Sequence, residues 1–332
     1  TMGRFAFGVD VGGTTVKLGL FDGEGMLLEK WEIPTVTENK GTRILPDIAE
    51  SIRKKMQERN ITEQDLKGIG IGTPGAVDKK GYMPGGAVNI GWEPLNIPET
   101  LQAYIKVPVK AANDANVAAY GEMWKGGGAG FQNMVAVTLG TGVGGGIIVD
   151  GKILTGATGA AGEIGHIHMN DEETESCGCK NKGCLEQYAS ATGIVRLAKR
   201  RLQKDGAPSV LRNVELSAKA VFDEVKEKDA VAIEIAEQFG EYLGKGLATV
   251  ANTVNPEVFV IGGGVSKAGE GLIPFIEPIF QKYAFPPCRG AKFALAKLGC
   301  RYLWRSSLNF AGAGRLTRYG GWNDGKFRKE SK

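Results

Sequence analysis

Histidine is nearly missing from this chain: its 332 residues contain two, His166 and His168. Cysteine is also scarce, at five residues. No stretch reaches the roughly 18 consecutive apolar residues that span a bilayer, so no membrane partner is expected. No charged-then-apolar leader ends in small residues, so the expected location is the cytoplasm, where thiols stay reduced. No low-complexity linker interrupts the chain, and no G-x4-G-K-[ST] phosphate loop is present. Net charge is small, +4. From Cys300 onward eight Lys or Arg face two Asp or Glu. The basic excess therefore belongs to the tail, and a nucleic-acid partner is not expected. The length suits two domains, and a hydrophobic fraction of 42% can fill two cores.

The scarce residues are clustered. Residues 163–186 hold both histidines and three of the five cysteines, with Glu163 and Glu186 at the ends. His166, Cys177, Cys179 and Cys184 form the pattern H-x10-C-x-C-x4-C. One imidazole and three thiolates suit tetrahedral zinc, and Gly178 and Gly183 let the backbone bend between them. Four protein ligands leave no open position for a reactive water, so the expected role is structural. The alternative is a loop of chance cysteines, free or disulfide-bonded. Glu163 and Glu186 at the ends of a metal-braced loop suit acceptors for sugar hydroxyls. His168 is read as structural and Cys288 as packing.

An internal repeat is the main topological clue. Residues 5–22, F-A-F-G-V-D-V-G-G-T-T-V-K-L-G-L-F-D, run strand, Gly/Thr turn, strand. Residues 134–151, M-V-A-V-T-L-G-T-G-V-G-G-G-I-I-V-D-G, repeat the plan. Two βββ-αβα units facing each other would set two glycine turns across one cleft. In the first turn Asp10 suits a Mg²⁺ shell, Gly12, Gly13, Thr14 and Thr15 suit phosphate oxygens, and Lys17 neutralises charge. Thr141 and Gly142 form the second turn. Gly262, Gly263 and Gly264 follow a third apolar strand and fit either a ligand loop or a helix start. Helices are expected over 42–59, 114–124, 188–202, 216–227, 229–253 and 272–283. Asn113 and Asp114 close a strand; Asp114 fits a general base or a helix N-cap, and spacing alone leaves both open.

With the motifs G-I-G-T-P-G at 70–75, N-D-A-N at 113–116, G-E-I-G-H at 162–166 and C-x-C-x4-C-L-E at 177–186, the chain resembles the ROK family of repressors, open reading frames and sugar kinases. Within that family it is most similar to the glucokinases, from about Phe5 to Gly299. The resemblance implies an α/β, actin/hexokinase-like (ribonuclease H-like) fold of two duplicated domains with a ligand cleft between them. Domain bounds of 1–125 and 126–299 are expected, the second carrying the zinc loop 166–184. It implies ATP and Mg²⁺, phosphorylation of a hexose at O6 with glucose preferred, and a homo-oligomer, dimer or tetramer. Asp114 would be the base. Asn113, Glu163, His166, Glu186, Asn89 and the Gly75 backbone would hold the sugar, with His166 using its second nitrogen on zinc. Adenosine would lie near Gly263 and Gly264. Lys180 departs from the family's usual glycine, which should alter the loop only slightly. The rivals are a kinase for N-acetylmannosamine, fructose or allose, and a sugar-responsive repressor. The repressor needs a DNA-binding module, for which no room is expected ahead of a first strand at Phe5.

The resemblance lapses at the tail. After Gly299 the family continues with something like N-D-A-G-I-Y-G-A-A, whereas here Cys300–Ser306 read C-R-Y-L-W-R-S. One choice of synonymous codons, GAT GCC GGT ATC TAT GGA GAA GC, encodes D-A-G-I-Y-G-E-A and shows that such a match is possible. Read two bases later, they give Cys-Arg-Tyr-Leu-Trp-Arg-Ser. Residues 300–332 are therefore expected to be a frameshifted reading of the family's C-terminus, the alternative being a divergent tail. Resequencing the gene across codon 300 tests this. The neighbouring frame should read D-A-G-I-Y-G or close to it; a frame that cannot be shifted to such a continuation would end the idea.

Overall fold

The computed structural model describes residues 4–23 and 25–297. The tail expected to be frameshifted lies outside the described residues.

The repeat in the sequence becomes two five-stranded sheets of one plan. The first contains β1 (Phe5–Val11), β2 (Thr15–Asp22), β3 (Leu27–Pro34) and β4 (Leu66–Thr73). A small ribbon of β5 (Tyr82–Met83) and β6 (Leu95–Asn96) precedes its last strand, β7 (Val109–Asn113). The second sheet contains β8 (Met134–Leu139), β9 (Val143–Val149), β10 (Lys152–Ile153), β11 (Val258–Gly262) and β12 (Lys292–Leu295). The strand orders, β3-β2-β1-β4-β7 and β10-β9-β8-β11-β12, correspond one to one. In each sheet the first three strands form an antiparallel meander, and the last two add in parallel. Parallel addition needs a crossover, made before β4 by the helix Ile44–Glu58, before β7 by the small ribbon and the short helix Ile97–Gln102, and in the second half by the helices between β10 and β12. Both Gly/Thr turns therefore sit at equivalent hairpin ends.

Each sheet has its own core. In the first, Phe7, Val9, Leu18, Ile69 and Ile71 pack with α1 (Ile44–Glu58) and α2 (Ile97–Gln102). The stripe Ile44, Ile48, Ile52 and Met56 turns one face of α1 inward, as its four-residue spacing requires. In the second half the core runs from β8 and β11 to the helices that follow the zinc-type loop. These are α4 (Glu186–Ala189), α5 (Ala191–Lys204), α6 (Ala218–Lys226), α7 (Ala230–Val254) and α8 (Ile273–Tyr283), preceded in the chain by α3 (Asp114–Lys125). Helix α7 starts where the Asp229 carboxylate accepts from Val231 N and Ala232 N, and ends at Asn255 in the left-handed region. Cys288 is buried in this core.

The helix expected over 188–202 is broken. Ser190 adopts extended angles (φ −80°, ψ 170°) and caps α5 by accepting from Gly193 N, so α4 and α5 are separate. A serine between alanines carried no periodic signal, and its capping bond decides the break.

Helix α3 follows the first sheet in sequence but packs largely on the second. Ala119, Tyr120 and Met123 share a cluster with Met134, Ala136, Ile148, Val258 and Val260. The reason lies in β9. A Cβ on Gly146 would come 2.5 Å from Ala119 Cβ and 2.7 Å from Ala115 O. One on Gly145 would meet Gly162 O at 2.4 Å on the other face. The glycine run of β9 thus admits a helix on one side and a loop on the other.

Candidate active site and metal centre

Helix α3 begins at the end of β7, and its N-cap is Asn113, not Asp114. Asn113 Oδ1 accepts from Ala115 N at 2.9 Å, and its Nδ2 donates to Gly75 O at 3.0 Å. With Asn113 holding the helix end, the Asp114 carboxylate accepts locally, from Ala115 N at 2.8 Å and from its own amide. Gly75 itself sits at φ +89°, where a Cβ would meet Gly86 O at 2.9 Å.

Asp114 lines a cavity of about 380 Å³ together with Glu163, His166, Glu186, Gly140, Gly142 and Gly263. Burial pushes the Asp114 carboxyl up; the Ala115 amide opposes this and the Glu163 charge adds to it. Asp10, at the end of β1, feels Asp114 as well. Burial drives its carboxyl from 3.8 to about 6, with Lys17 opposing and Asp114 reinforcing. Lys17 is the cross-strand partner of Asp10 on β2 and is exposed.

The Gly/Thr turns are tight and open at their tips. Gly12 N donates to Thr15 O at 3.1 Å, and Thr35 Oγ1 donates to Gly12 O at 2.7 Å, leaving Gly13 and Thr14 exposed. In the second turn Gly140 N donates to Gly142 O at 3.0 Å, and Thr141 is exposed. Gly263, at φ +89°, packs against the end of β8, where a Cβ would lie 2.4 Å from Leu139 O. Gly264 begins a 3-10 helix over Val265–Leu272. The third turn is thus both a helix start and, through Gly262 and Gly263, part of the cavity wall. Asn89 is exposed on a 3-10 turn, Val88–Ile90, and does not line the cavity, though its carbonyl is near Gly13. Asp10, Gly12, Gly13, Thr14, Thr15, Gly75, Asn113 and Thr141 also lie outside that lining.

The candidate metal ligands come together. The ligand atoms of His166, Cys177, Cys179 and Cys184 all lie within 4.8 Å of one another. Cys179 Sγ and Cys184 Sγ are 3.6 Å apart, and Cys177 Sγ is 3.8 Å from His166 Nδ1. Tetrahedral zinc with sulfur bonds of about 2.3 Å sets neighbouring sulfurs about 3.8 Å apart, whereas a disulfide needs about 2.05 Å. The set therefore fits zinc, and all four cysteines among the described residues are free. His166 turns Nδ1 to the thiols and Nε2 toward Glu163 Oε2, 4.0 Å away, at the cavity. Glu186 joins both regions: its Oε1 accepts from Cys177 Sγ at 2.9 Å and its Oε2 from Val143 N at 3.4 Å. His168 braces the loop, with ring nitrogens 2.9 Å from Lys182 O and 2.8 Å from Asp171 Oδ1. Lys180 takes a left-handed φ of 73°, a conformation that glycine would adopt without strain.

The ROK family description covers residues 6–301. The chain belongs to the ROK family. It is 44% identical over 301 residues to a glucokinase of Halalkalibacterium halodurans, spanning 89% of this chain and 91% of that protein. The crystal structure of a ROK family glucokinase from Streptomyces griseus, in complex with glucose and AMPPNP, is similar at a TM-score of 0.73 and 32% identity. That likeness covers 93% of this chain and all of the other (100%). A xylose repressor of Caldicellulosiruptor bescii is 30% identical over 84% of this chain and 70% of its own length. The actin-like two-lobed α/β fold follows from these structures. No helix among the described residues is long and apolar enough to cross a membrane.

The burial of Asp10 has a thermodynamic signature. Its folded value of about 6 exceeds its ordinary 3.8, so between those pH values the folded form holds a proton the unfolded chain has released. Stability in the absence of ligands should fall as pH rises through that window, by at most about 3 kcal/mol. Urea unfolding at pH 4.5 and 7 should show this fall in the wild type and less of it in Asp10→Asn. An identical pH dependence in both would contradict it.

Proposed function

We propose that this chain is an ATP-dependent hexose kinase that transfers the γ-phosphoryl group of ATP to O6 of glucose. The observation that carries the reading is the position of Asp114. A half-buried carboxylate with a raised affinity for protons faces Glu163, His166 and Glu186 across a cavity bordered by the Gly140–Gly142 turn.

Glu163, Glu186, His166 Nε2 and Asn113 hold the sugar hydroxyls, with Asn89 and the Gly75 backbone completing the subsite from the first lobe. Carboxylates accept two hydrogen bonds each, which suits a ring of vicinal hydroxyls. Asp114 accepts the O6 proton as O6 attacks the γ-phosphorus in line. The bond to the β–γ bridging oxygen breaks and ADP leaves. An aspartate pushed upward by burial is a better base near neutral pH than an exposed one. The turn at Asp10, Gly12, Gly13, Thr14, Thr15 and Lys17 and the turn at Thr141 and Gly142 receive the phosphates, and Gly263 and Gly264 border the adenosine. Asp10 would hold Mg²⁺, which would supply charge neutralisation at the phosphates. Most of the rate enhancement comes from positioning and charge. His166, Cys177, Cys179 and Cys184 would hold a zinc ion that takes no chemical step and would stiffen the loop that carries Glu163, His166 and Glu186. The reading includes a cytoplasmic, glycolytic homo-oligomer.

Two variants test the assignments. Asp114→Asn should lose at least about 100-fold in turnover while glucose still binds by calorimetry. A loss below tenfold would remove Asp114 as the base. Cys179→Ser should lose the one zinc expected per chain, and glucose affinity with it. A metal-free preparation of full activity would overturn the bracing role.

A further inference from the structure

Helix α5 carries three polar residues on one face, Thr192, Arg196 and Arg200, each four residues from the next. None belongs to a motif read from the sequence. The first turn of α5 is bonded to the Gly140–Gly142 turn. Thr192 Oγ1 donates to Thr141 O at 2.7 Å, and Ala191 N donates to Gly140 O at 2.8 Å. The next two turns grip the metal-binding loop. Arg200 Nη1 and Nη2 donate to the two oxygens of Glu173, each at 3.1 Å, and Nη2 also reaches Glu175 Oε1 at 3.1 Å. Arg196 Nη2 lies 2.6 Å from Glu173 Oε1, as a charge contact off the hydrogen-bond direction, and its Nε donates to Glu175 Oε2 at 3.1 Å.

Glu173 is unusual for a loop carboxylate. It is 5% exposed and sits between the first two metal-type ligands in sequence. Tyr188 Oη donates to it at 2.6 Å. Burial opposes its ionisation, but Arg200, Tyr188, the Glu175 amide and Arg196 outweigh that cost and hold its carboxyl well below the usual range. A buried carboxylate so fully paired fixes geometry more than it adds stability. Losing a partner leaves an uncompensated charge and lets the loop shift.

We propose that α5 is a strut between the two substrate subsites: Thr192 fixes the phosphate turn, Arg196 and Arg200 fix the sugar-side loop through Glu173, and the helix between them sets their spacing. A rigid helix spans the roughly 12 Å from Thr192 to Arg200 without slack. Disturbance at either end is therefore felt at the other. These are positioning residues; none touches a substrate. The inference rests on the kinase reading for which substrates lie at the two ends, but the mechanical coupling does not.

The test uses Arg200→Met, which keeps the half-exposed aliphatic stem, and Thr192→Val, which removes one hydroxyl. Hydrogen exchange is measured on the whole chain in each. The strut predicts that Arg200→Met speeds exchange both in residues 163–187 and in the distant turn 138–143, and that Thr192→Val does the same in reverse. Faster exchange only next to each substitution would overturn the coupling, whatever the chain phosphorylates. In steady-state kinetics Arg200→Met should raise the glucose KM about tenfold with a smaller change in kcat, Arg200→Lys restoring part of it. Thr192→Val should raise the ATP KM several-fold. Unchanged KM values in both variants would also overturn it. A wild type inactive on every hexose would strike the kinase reading alone, because the exchange experiment would still decide the strut.

Discussion

The closeness of α3 to β9 is the constraint on which the cleft depends. Ala115 and Ala119 lie against Gly146, where a side chain on β9 would collide with the helix, and Ala115 also packs beside Gly144. The helix that begins at the end of the first sheet is thereby locked onto the second. Asp114 is its first residue, so the same contact fixes the proposed base relative to Glu163, His166 and Glu186. A helix held farther away by a single methyl would move that carboxylate by an amount that matters for in-line transfer. The duplicated sheets supply two phosphate-type turns, but this crossing decides how they face each other.

The second organising element is the loop from Glu163 to Glu186. It is held from several directions: by its own thiol and imidazole cluster, by the Glu173 contacts to α5, and by Glu186, which reaches both Cys177 and the β9 amide of Val143. Such over-determination suits a recognition loop that must present three polar groups at set distances. The left-handed Lys180 is a cost accepted within it, since a β-carbon is disfavoured at that φ.

Much of this was legible in the sequence. The repeat of strand, Gly/Thr turn and strand gave the two equal sheets, because period-two patterning and turn residues are local signals. The cluster of His166, Cys177, Cys179 and Cys184 was legible because the residues are rare and close together. Asp114 was visible as a candidate, but its freedom from capping was not, since Asn113 and Asp114 are both good caps and only geometry separates them. The glycines of β9 were read only as part of the second strand; Gly145 and Gly146 admit a loop and a helix, a need set by partners distant in sequence. The break at Ser190 and the pairing of Glu173 with Arg196 and Arg200 were invisible for the same reason. A charged face on a helix looks solvated until its partner is placed.

The central claim is that this cleft phosphorylates glucose. Purified protein with Mg-ATP and a panel of hexoses, read as ADP release, tests it most directly. The account predicts the highest kcat/KM for glucose. A higher value for N-acetylmannosamine, fructose or allose would contradict the glucose assignment, and no ADP release above the ATP-only background with any sugar would contradict the kinase.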